Sequence, residues 1–256
     1  MKYYIITGTS SGIGEALVKE LLAKEEKNHI ISISRRENVT LREMAKTQNK
    51  NFSFYKLDLR ETELIESIIQ SIFNHDVDDN NEGIYLINNA GVLIPIGPIE
   101  KNPDHEIVDN MTINLISPMI LTSHFIKHTN HLEADKRILN ISSGSAKYLL
   151  PSQSAYSTSK AGLDSFTKSI ALEQKEKKFP VRIVSVYPGV ISTKLQEEIR
   201  AANKEDFPLV HLFHEVYENG QLQTSEDTAE KLLTLLLSDV FGQQPVVEEL
   251  TSTLTS

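Results

Sequence analysis

Short apolar runs and longer amphipathic stretches alternate along the whole chain. Residues 3–7, 29–34, 52–57, 84–88, 137–142 and 181–187 are rich in β-branched and aromatic side chains. Apolar runs of this length predict strands buried on both faces, as in a parallel sheet. Between them, apolar side chains recur at helical spacing. Ile13, Ala16, Leu17, Leu21 and Leu22 do so in one stretch, and Leu64, Ile65, Ile68, Ile69 and Ile72 in another. Helices are also predicted over 104–128, 154–177 and 226–237, and a last short strand over 246–250. Residues 192–224 read as mixed, charged and irregular. Repeated strand–helix units at this spacing imply crossovers between parallel neighbours. The expected fold is therefore α/β, a doubly wound parallel sheet of about seven strands with helices on both faces. No repeat, linker or low-complexity segment divides residues 1–256, which predicts a single domain.

Composition narrows the class of protein. Hydrophobic residues make up 39% and charged residues 24%, near the globular norm, which excludes a disordered or fibrous chain. Lys plus Arg number 26 against 35 for Asp plus Glu, a net charge of −9. That balance argues against a nucleic-acid partner, whose phosphates need a basic face. Cysteine is absent, so disulfides, thiolate metal sites and cysteine nucleophiles are excluded. No apolar run approaches the length of a membrane span, and the chain opens directly on a strand-like run without a signal-peptide pattern. A soluble, cytoplasmic protein with no membrane contact is expected. No metal is expected either. His124, His128 and His131, like His211 and His214, lack the H-E-x-x-H arrangement, and the acidic stretch 76–82 lacks EF-hand spacing.

Three local patterns point to chemistry. Thr7-Gly8-Thr9-Ser10-Ser11-Gly12-Ile13-Gly14 joins the first strand to the first helix with G-x-x-x-G-x-G spacing. Glycines there allow a close backbone approach, and the helix N-terminus offers free N–H groups to a pyrophosphate. The second strand ends at Arg35-Arg36 with no carboxylate before Glu37. A carboxylate at this point suits a ribose 2′-OH, whereas arginine suits a 2′-phosphate, so NADP(H) is the expected cofactor. Tyr156 and Lys160 stand at i and i+4 on the helix after the fifth strand, which ends at Ser142-Ser143. An ammonium beside a phenol favours the phenolate, and a hydroxyl at the strand end can hold a carbonyl.

Taken in order, these motifs resemble the short-chain dehydrogenase/reductase family, whose fold is a Rossmann fold. The resemblance covers residues 7 to 193. It extends to Asn88-Asn89-Ala90-Gly91, to Asp58 and Leu59 after the third strand, and to Pro188, Gly189, Ile191 and Thr193. It implies a catalytic tetrad of Asn114, Ser143, Tyr156 and Lys160. Ser143 and Tyr156 would hold the substrate carbonyl for hydride delivery from NADPH, and Tyr156 would donate the proton. Lys160 would lower the Tyr156 pKa and bind the nicotinamide ribose, while Asn114 anchors a relay water. The cofactor contacts implied are Gly8, Ser10, Ser11, Gly12, Ile13, Gly14, Arg35, Arg36, Asp58, Leu59, Asn89, Ala90, Gly91, Tyr156, Lys160, Pro188, Gly189, Ile191 and Thr193. Ser142 is expected to support the strand, and Thr193 to double as a helix N-cap.

Substrate choice is expected to lie in three loops, 92–99, 145–153 and 192–224, the last acting as a lid. They carry Leu93, Ile94, Ile96, Tyr148, Leu149, Leu150, Leu195, Ile199, Phe207, Leu209, Leu212, Phe213 and Tyr217. Such walls suit an apolar small-molecule carbonyl better than a sugar. Within the family the chain is most similar to a bacterial, sepiapterin-reductase-like branch that reduces vicinal diketones such as benzil, and pterin carbonyls, with NADPH. The alternatives are another alcohol dehydrogenase and a non-catalytic NADPH-binding sensor, which the complete tetrad disfavours. After Gln244 the family pattern fades, and Glu248 and Glu249 are only candidate pterin anchors. The family also implies a homodimer or homotetramer. Met111, Ile113, Leu115, Phe125, Phe166 and Ile170 would supply the apolar surface, with burial in the chain's own core as the alternative.

Overall fold

The computed structural model describes residues 1–78 and 81–250. Its strands are β1 (Lys2–Thr7), β2 (Asn28–Ser34), β3 (Asn51–Lys56), β4 (Gly83–Asn88), β5 (Asp135–Ile141), β6 (Arg182–Val186) and β7 (Val246–Val247). They form one sheet in the order β3-β2-β1-β4-β5-β6-β7, with every neighbouring pair parallel. The helices are α1 (Gly12–Ala23), α2 (Val39–Thr47), α3 (Ile65–His75), α4 (Asp104–Met111), α5 (Ser117–Thr129), α6 (Ser154–Gln174), α7 (Lys194–Arg200), α8 (Val210–Glu218) and α9 (Ser225–Leu237). This is the single-domain Rossmann architecture that the strand–helix rhythm predicts.

Alternate residues of β1 explain why it reads as a continuous apolar run. Tyr4 and Ile6 pack with Leu17 and Leu21 of α1 and Leu232 and Leu236 of α9 on one face. Tyr3 and Ile5 pack with Ile69 and Ile72 of α3 and Phe125 of α5 on the other. Both faces are buried, so no polar alternation survives. The strand order reverses beside β1, which pairs with β2 on one side and β4 on the other. A crevice therefore opens beyond the carboxyl ends of β1 and β4, where a doubly wound sheet receives ligands.

Four elements differ from the sequence reading. The helix expected over 104–128 is α4, a π-helical stretch at Thr112–Ile116, and α5. Pro118 near the start of α5 has no N–H, so the carbonyl of Asn114, four residues earlier, lacks its α-helical donor. Helical periodicity passes over such a slip without registering it. The helix expected to reach residue 177 stops at Gln174, whose side chain accepts from the Val181 N–H at 3.1 Å. The segment 192–224 holds α7 and α8. The last strand covers Val246 and Val247 alone, because Glu248 turns away to pair with Lys147.

The apolar residues expected at an oligomer surface divide. Phe125 and Ile113 are buried in the chain's own core and Ile170 packs against it, whereas Met111, Leu115 and Phe166 are half-buried. No group of three or more candidate metal ligands occurs among the described residues. His128 instead stacks on Phe73, with ring centroids 5.0 Å apart. Part of the acidic stretch 76–82 lies outside the described residues. No helix among the described residues is long and apolar enough to cross a membrane.

The amino-terminal edge of the sheet is closed by a buried ammonium. Lys136 on β5 donates to the carbonyls of Thr129 (2.9 Å), Leu132 (2.8 Å) and Phe179 (2.8 Å). Thr129 ends α5, so the charge also meets the negative end of that helix. Lys136→Met should leave three buried carbonyls without donors and cost roughly 3 kcal/mol. A lower urea midpoint with unchanged kcat in the folded enzyme is the expected result, because the residue lies at the edge opposite the crevice.

Candidate active site

The turn after β1 is pressed against the segment that follows β4. Gly8 has φ +74° and Gly12 φ +59°, which L side chains rarely adopt. A Cβ on Gly8 would lie 2.8 Å from Ala90 Cα, and one on Gly14 would lie 2.2 Å from the Gly8 oxygen. Thr7 and Asn89 close this contact. Thr7 Oγ1 accepts from the N–H groups of Asn89 (3.0 Å) and Ala90 (3.1 Å). Asn89 Nδ2 donates to the carbonyls of Thr7 (2.9 Å) and Gly8 (3.3 Å). Ser11 precedes α1 without a side-chain cap, which leaves the first-turn N–H groups around Gly12, Ile13 and Gly14 open to an anion. Ser10 and Ser11 are exposed at the mouth.

A cleft of ≈ 490 Å³ runs from Ser11 and Gly12 to Thr193, Lys194 and the start of α9. Gly189 has φ +96°, and the chain then pairs with Gln223 through Ile191. This brings Thr193 beside Gly12, where a Cβ would meet Thr193 Cγ2 at 3.5 Å. Thr193 is the N-cap residue of α7, as expected, though its side chain makes no capping bond. Close backbone packing at Gly8, free helix donors and the facing Thr193 suit the pyrophosphate of a nicotinamide dinucleotide.

At the adenosine end, Arg35 and Arg36 are exposed beyond β2. Asp58 is engaged by a residue that the sequence reading missed. Arg60 donates to its carboxylate through Nη2 at 2.7 Å and Nε at 3.1 Å, and reaches Asp109 of α4 through Nη1 at 3.2 Å. The Arg60 hydrogen bonds hold the Asp58 carboxyl below its ordinary value, and the charge of Arg35 adds to the effect. Leu59 is buried, and its carbonyl accepts from Ser117 Oγ at 2.5 Å.

The proposed tetrad converges at the carboxyl ends of β4 and β5. Lys160 Nζ donates to the Ile141 carbonyl at 2.8 Å and lies 5.7 Å from the Tyr156 ring centroid. The Ser143 hydroxyl acts on the Tyr156 phenol, and its own Oγ accepts from Ser145 N–H at 3.1 Å. Ser142 extends the strand pairing through its N–H to the Val186 carbonyl at 2.9 Å, and its hydroxyl donates weakly to the Lys160 carbonyl at 3.4 Å. Gly91 faces both amide and ammonium, since a Cβ there would lie 3.2 Å from Asn114 Oδ1 and 3.6 Å from Lys160 Nζ.

Asn114 is buried and its amide is fully engaged. Oδ1 accepts from Val92 N–H (2.9 Å), and Nδ2 donates to Val92 O (2.8 Å), Asn110 Oδ1 (3.0 Å) and Ser159 Oγ (3.3 Å). Asn110, fully buried one turn earlier, donates to the carbonyls of Val92, Leu93 and Ile94. Asn110 and Ser159 escaped the sequence reading, although Asn110 and Asn114 form an i, i+4 pair of asparagines. Asn88 plays the expected bracing role, donating to Asn140 Oδ1 at 2.8 Å.

Burial raises the Tyr156 phenol above its ordinary pKa, opposed by the Ser143 hydrogen bond. The lowering expected from Lys160 does not appear: burial sets the direction, and Ser143 alone opposes it. Burial likewise pushes Lys160 down to about 8, opposed by the carboxylate of Asp164. The three loops 92–99, 145–153 and 192–224 meet at Tyr156, where Leu93, Ile199, Phe207 and Val210 form an apolar cluster with Ile96, Leu150, Leu195 and Phe213 packed against it. Tyr148, Leu149 and Tyr217 stay exposed.

The chain belongs to the short-chain dehydrogenase family, whose sequence model matches residues 2–204. It is an oxidoreductase acting on CH–OH and C=O groups, in a family that uses nicotinamide cofactors. It is 44% identical to benzil reductase ((S)-benzoin forming) of Bacillus cereus, over 96% of this chain and 98% of that one. It is 34% identical to the enzyme of the same name from Bacillus subtilis (strain 168), over 92% and 93% of the two chains. Among solved structures, the KRED1-Pglu enzyme superposes with a TM-score of 0.82 at 26% identity, covering 96% of this chain and 100% of that one.

A buried lysine whose folded pKa is depressed binds fewer protons than in the unfolded chain between the two values. Stability therefore rises with pH from about 8 toward the ordinary 10.5, and the burial penalty is largest below 8. Lys160→Met should lack that rise. Urea unfolding at pH 7 and pH 10 should show wild-type stability rising relative to that of the variant as pH rises, and parallel curves would refute the buried charge.

Proposed function

We propose that this protein is an NADPH-dependent carbonyl reductase acting on apolar or aromatic vicinal diketones such as benzil, forming the (S)-α-hydroxy ketone. The observation that carries the reading is the position of Tyr156. It joins the polar pair Ser143 and Lys160 to the apolar cluster of the substrate loops. The identity to two benzil reductases supports the same substrate class.

The bound nicotinamide supplies the hydride. Ser143 and Tyr156 direct their hydroxyls at the carbonyl oxygen, and Tyr156 Oη gives up its proton as negative charge develops there. The raised phenol pKa keeps that proton in place until the carbonyl needs it. Lys160 stabilises the resulting phenolate and holds the nicotinamide ribose. Asn114 contributes through its main-chain carbonyl, which Pro118 leaves without an α-helical donor and which can hold a relay water, because its side chain is already engaged. The apolar walls exclude bulk water and favour aromatic substituents.

NADPH is preferred to NADH because Arg35 and Arg36 offer exposed guanidinium groups at the end of β2, where a 2′-phosphate would lie. A pterin substrate is less well served, since both oxygens of Glu248 are held by Lys147 at 2.8 and 2.6 Å. Residues 192–224 act as the lid. The protein works in the cytoplasm as a homodimer or homotetramer, joined through faces that carry Val108, Met119 and Leu172, all exposed in the monomer.

A panel of carbonyl compounds, followed by loss of nicotinamide absorbance, tests the substrate class. Turnover of benzil is expected, and turnover of acyl thioesters without diketones would overturn the reading. With benzil, Tyr156→Phe should lower kcat by roughly a hundred- to ten-thousand-fold while retaining NADPH affinity. A variant that keeps most of the wild-type rate, with chemistry rate-limiting, would remove Tyr156 from the acid role. Arg35→Ala should raise KM for NADPH about tenfold and leave KM for NADH nearly unchanged, as expected for one lost charge-assisted phosphate contact. Equal effects on the two cofactors would refute 2′-phosphate recognition.

A further inference from the structure

Asp164 lies one helical turn beyond Lys160 on α6, and its side chain is buried, with 6% of the residue exposed. Oδ1 accepts from Ser185 Oγ at 2.5 Å and Oδ2 from Tyr187 Oη at 2.7 Å. Ser185 belongs to β6, and Tyr187 directly precedes the Pro188-Gly189 turn. The carboxylate thus ties the helix of the catalytic pair to the strand that ends at the cofactor cleft. Two hydroxyl donors orient a buried carboxylate but do not neutralise it, and a buried charge calls for an opposite one.

The buried cation on which it acts is Lys160, one turn away on the same helix and 4% exposed. The other elements around Lys160 bring little charge. β5 contributes the Ile141 carbonyl, and α4 and the π-helical stretch contribute the amides of Asn110 and Asn114. Tyr156, on the same helix, is kept protonated by burial. Tyr187 faces from β6, and Tyr148 and Glu248 act on Tyr187. Asp164 is the charged group that acts on Lys160 among the described residues.

We propose that Asp164 is a positioning residue for the Tyr156/Lys160 pair, holding the Lys160 ammonium cationic inside the dry site and, through Ser185 and Tyr187, fixing α6 against the strand that leads into the Pro188-Gly189 turn. The proposal rests on the reading of Tyr156 and Lys160 as the proton-transfer pair. Removing the carboxylate leaves Lys160 as an uncompensated buried cation, which then loses its proton at lower pH. The titration seen in kinetics belongs to the pair rather than to either residue.

In ketone reduction at saturating NADPH, kcat falls on the alkaline side as the pair loses its proton. Asp164→Asn should move that limb down by about one pH unit, whereas Asp164→Glu, which keeps the charge, should leave it within a few tenths of a unit. A merely structural carboxylate would lower kcat equally at every pH and leave the limb in place, and that result would overturn the proposal. A second measurement needs no substrate. Urea unfolding at pH 7 of Asp164→Asn, Lys160→Met and the double variant should show the double losing less stability than the two single losses added together. Additive losses would overturn the proposal. If Asp164→Asn folds only when combined with Lys160→Met, that rescue supports the coupling, and failure of both to fold counts against it. A chain that reduced no diketone would leave this cycle readable, so the two readings fail separately.

Discussion

A lysine ammonium held almost out of water is the constraint around which this site is arranged. Lys160 keeps one short hydrogen bond, to the Ile141 carbonyl at the end of β5, and burial works against its charge. A group in that position demands neighbours that neither crowd it nor leave polar atoms unpaired. Gly91 meets the first demand by carrying no side chain toward Lys160 and Asn114. Asn110, Asn114 and Ser159 meet the second, bonding one another and the carbonyls of residues 92–94. The loop that carries Leu93 into the apolar cluster is fixed by the same asparagines that bond Ser159 of α6.

The two edges of the sheet divide the work. At the amino-terminal edge, buried and half-buried charged side chains are engaged by partners. Lys136 binds three carbonyls, and Asp135 joins Arg137 and Arg182 while Arg137 Nη1 reaches the carbonyls of Leu236 and Ser238 at the end of α9. These bonds tie the last helix to the centre of the sheet. At the carboxyl edge, the glycines at 8 and 14 let the turn after β1 pack against residues 89–90, and Ser10, Ser11, Arg35 and Arg36 stay at the surface.

Much of the fold was legible because its causes are local. A strand buried on both faces must be apolar throughout, so β1, β2 and β4 announce themselves, and a helix on one face of a sheet shows its stripe. The glycine turn, the Tyr156/Lys160 pair and the order of the family's motifs are legible for the same reason, since each is a short stretch with one chemical requirement. The slip between α4 and α5 was not, although Pro118 was in plain view. A single missing N–H ends an ordinary helix as readily as it bulges one, and packing against residues 92–94 decides between them.

Amino-acid order by itself determined the parallel sheet, the glycine turn after its first strand and which groups are candidates for the site, because backbone geometry and functional-group chemistry are carried by neighbouring residues. Tertiary structure alone decided how those groups are tuned. Arg60 reaches Asp109 on α4, Asn110 meets Ser159 from another helix, and Asp164 finds its hydroxyl donors on β6 and just after it. Direct hydrogen bonds need polar atoms within about 3 Å. Partners twenty to fifty positions apart come that close only after the sheet has formed and water has left the space between them.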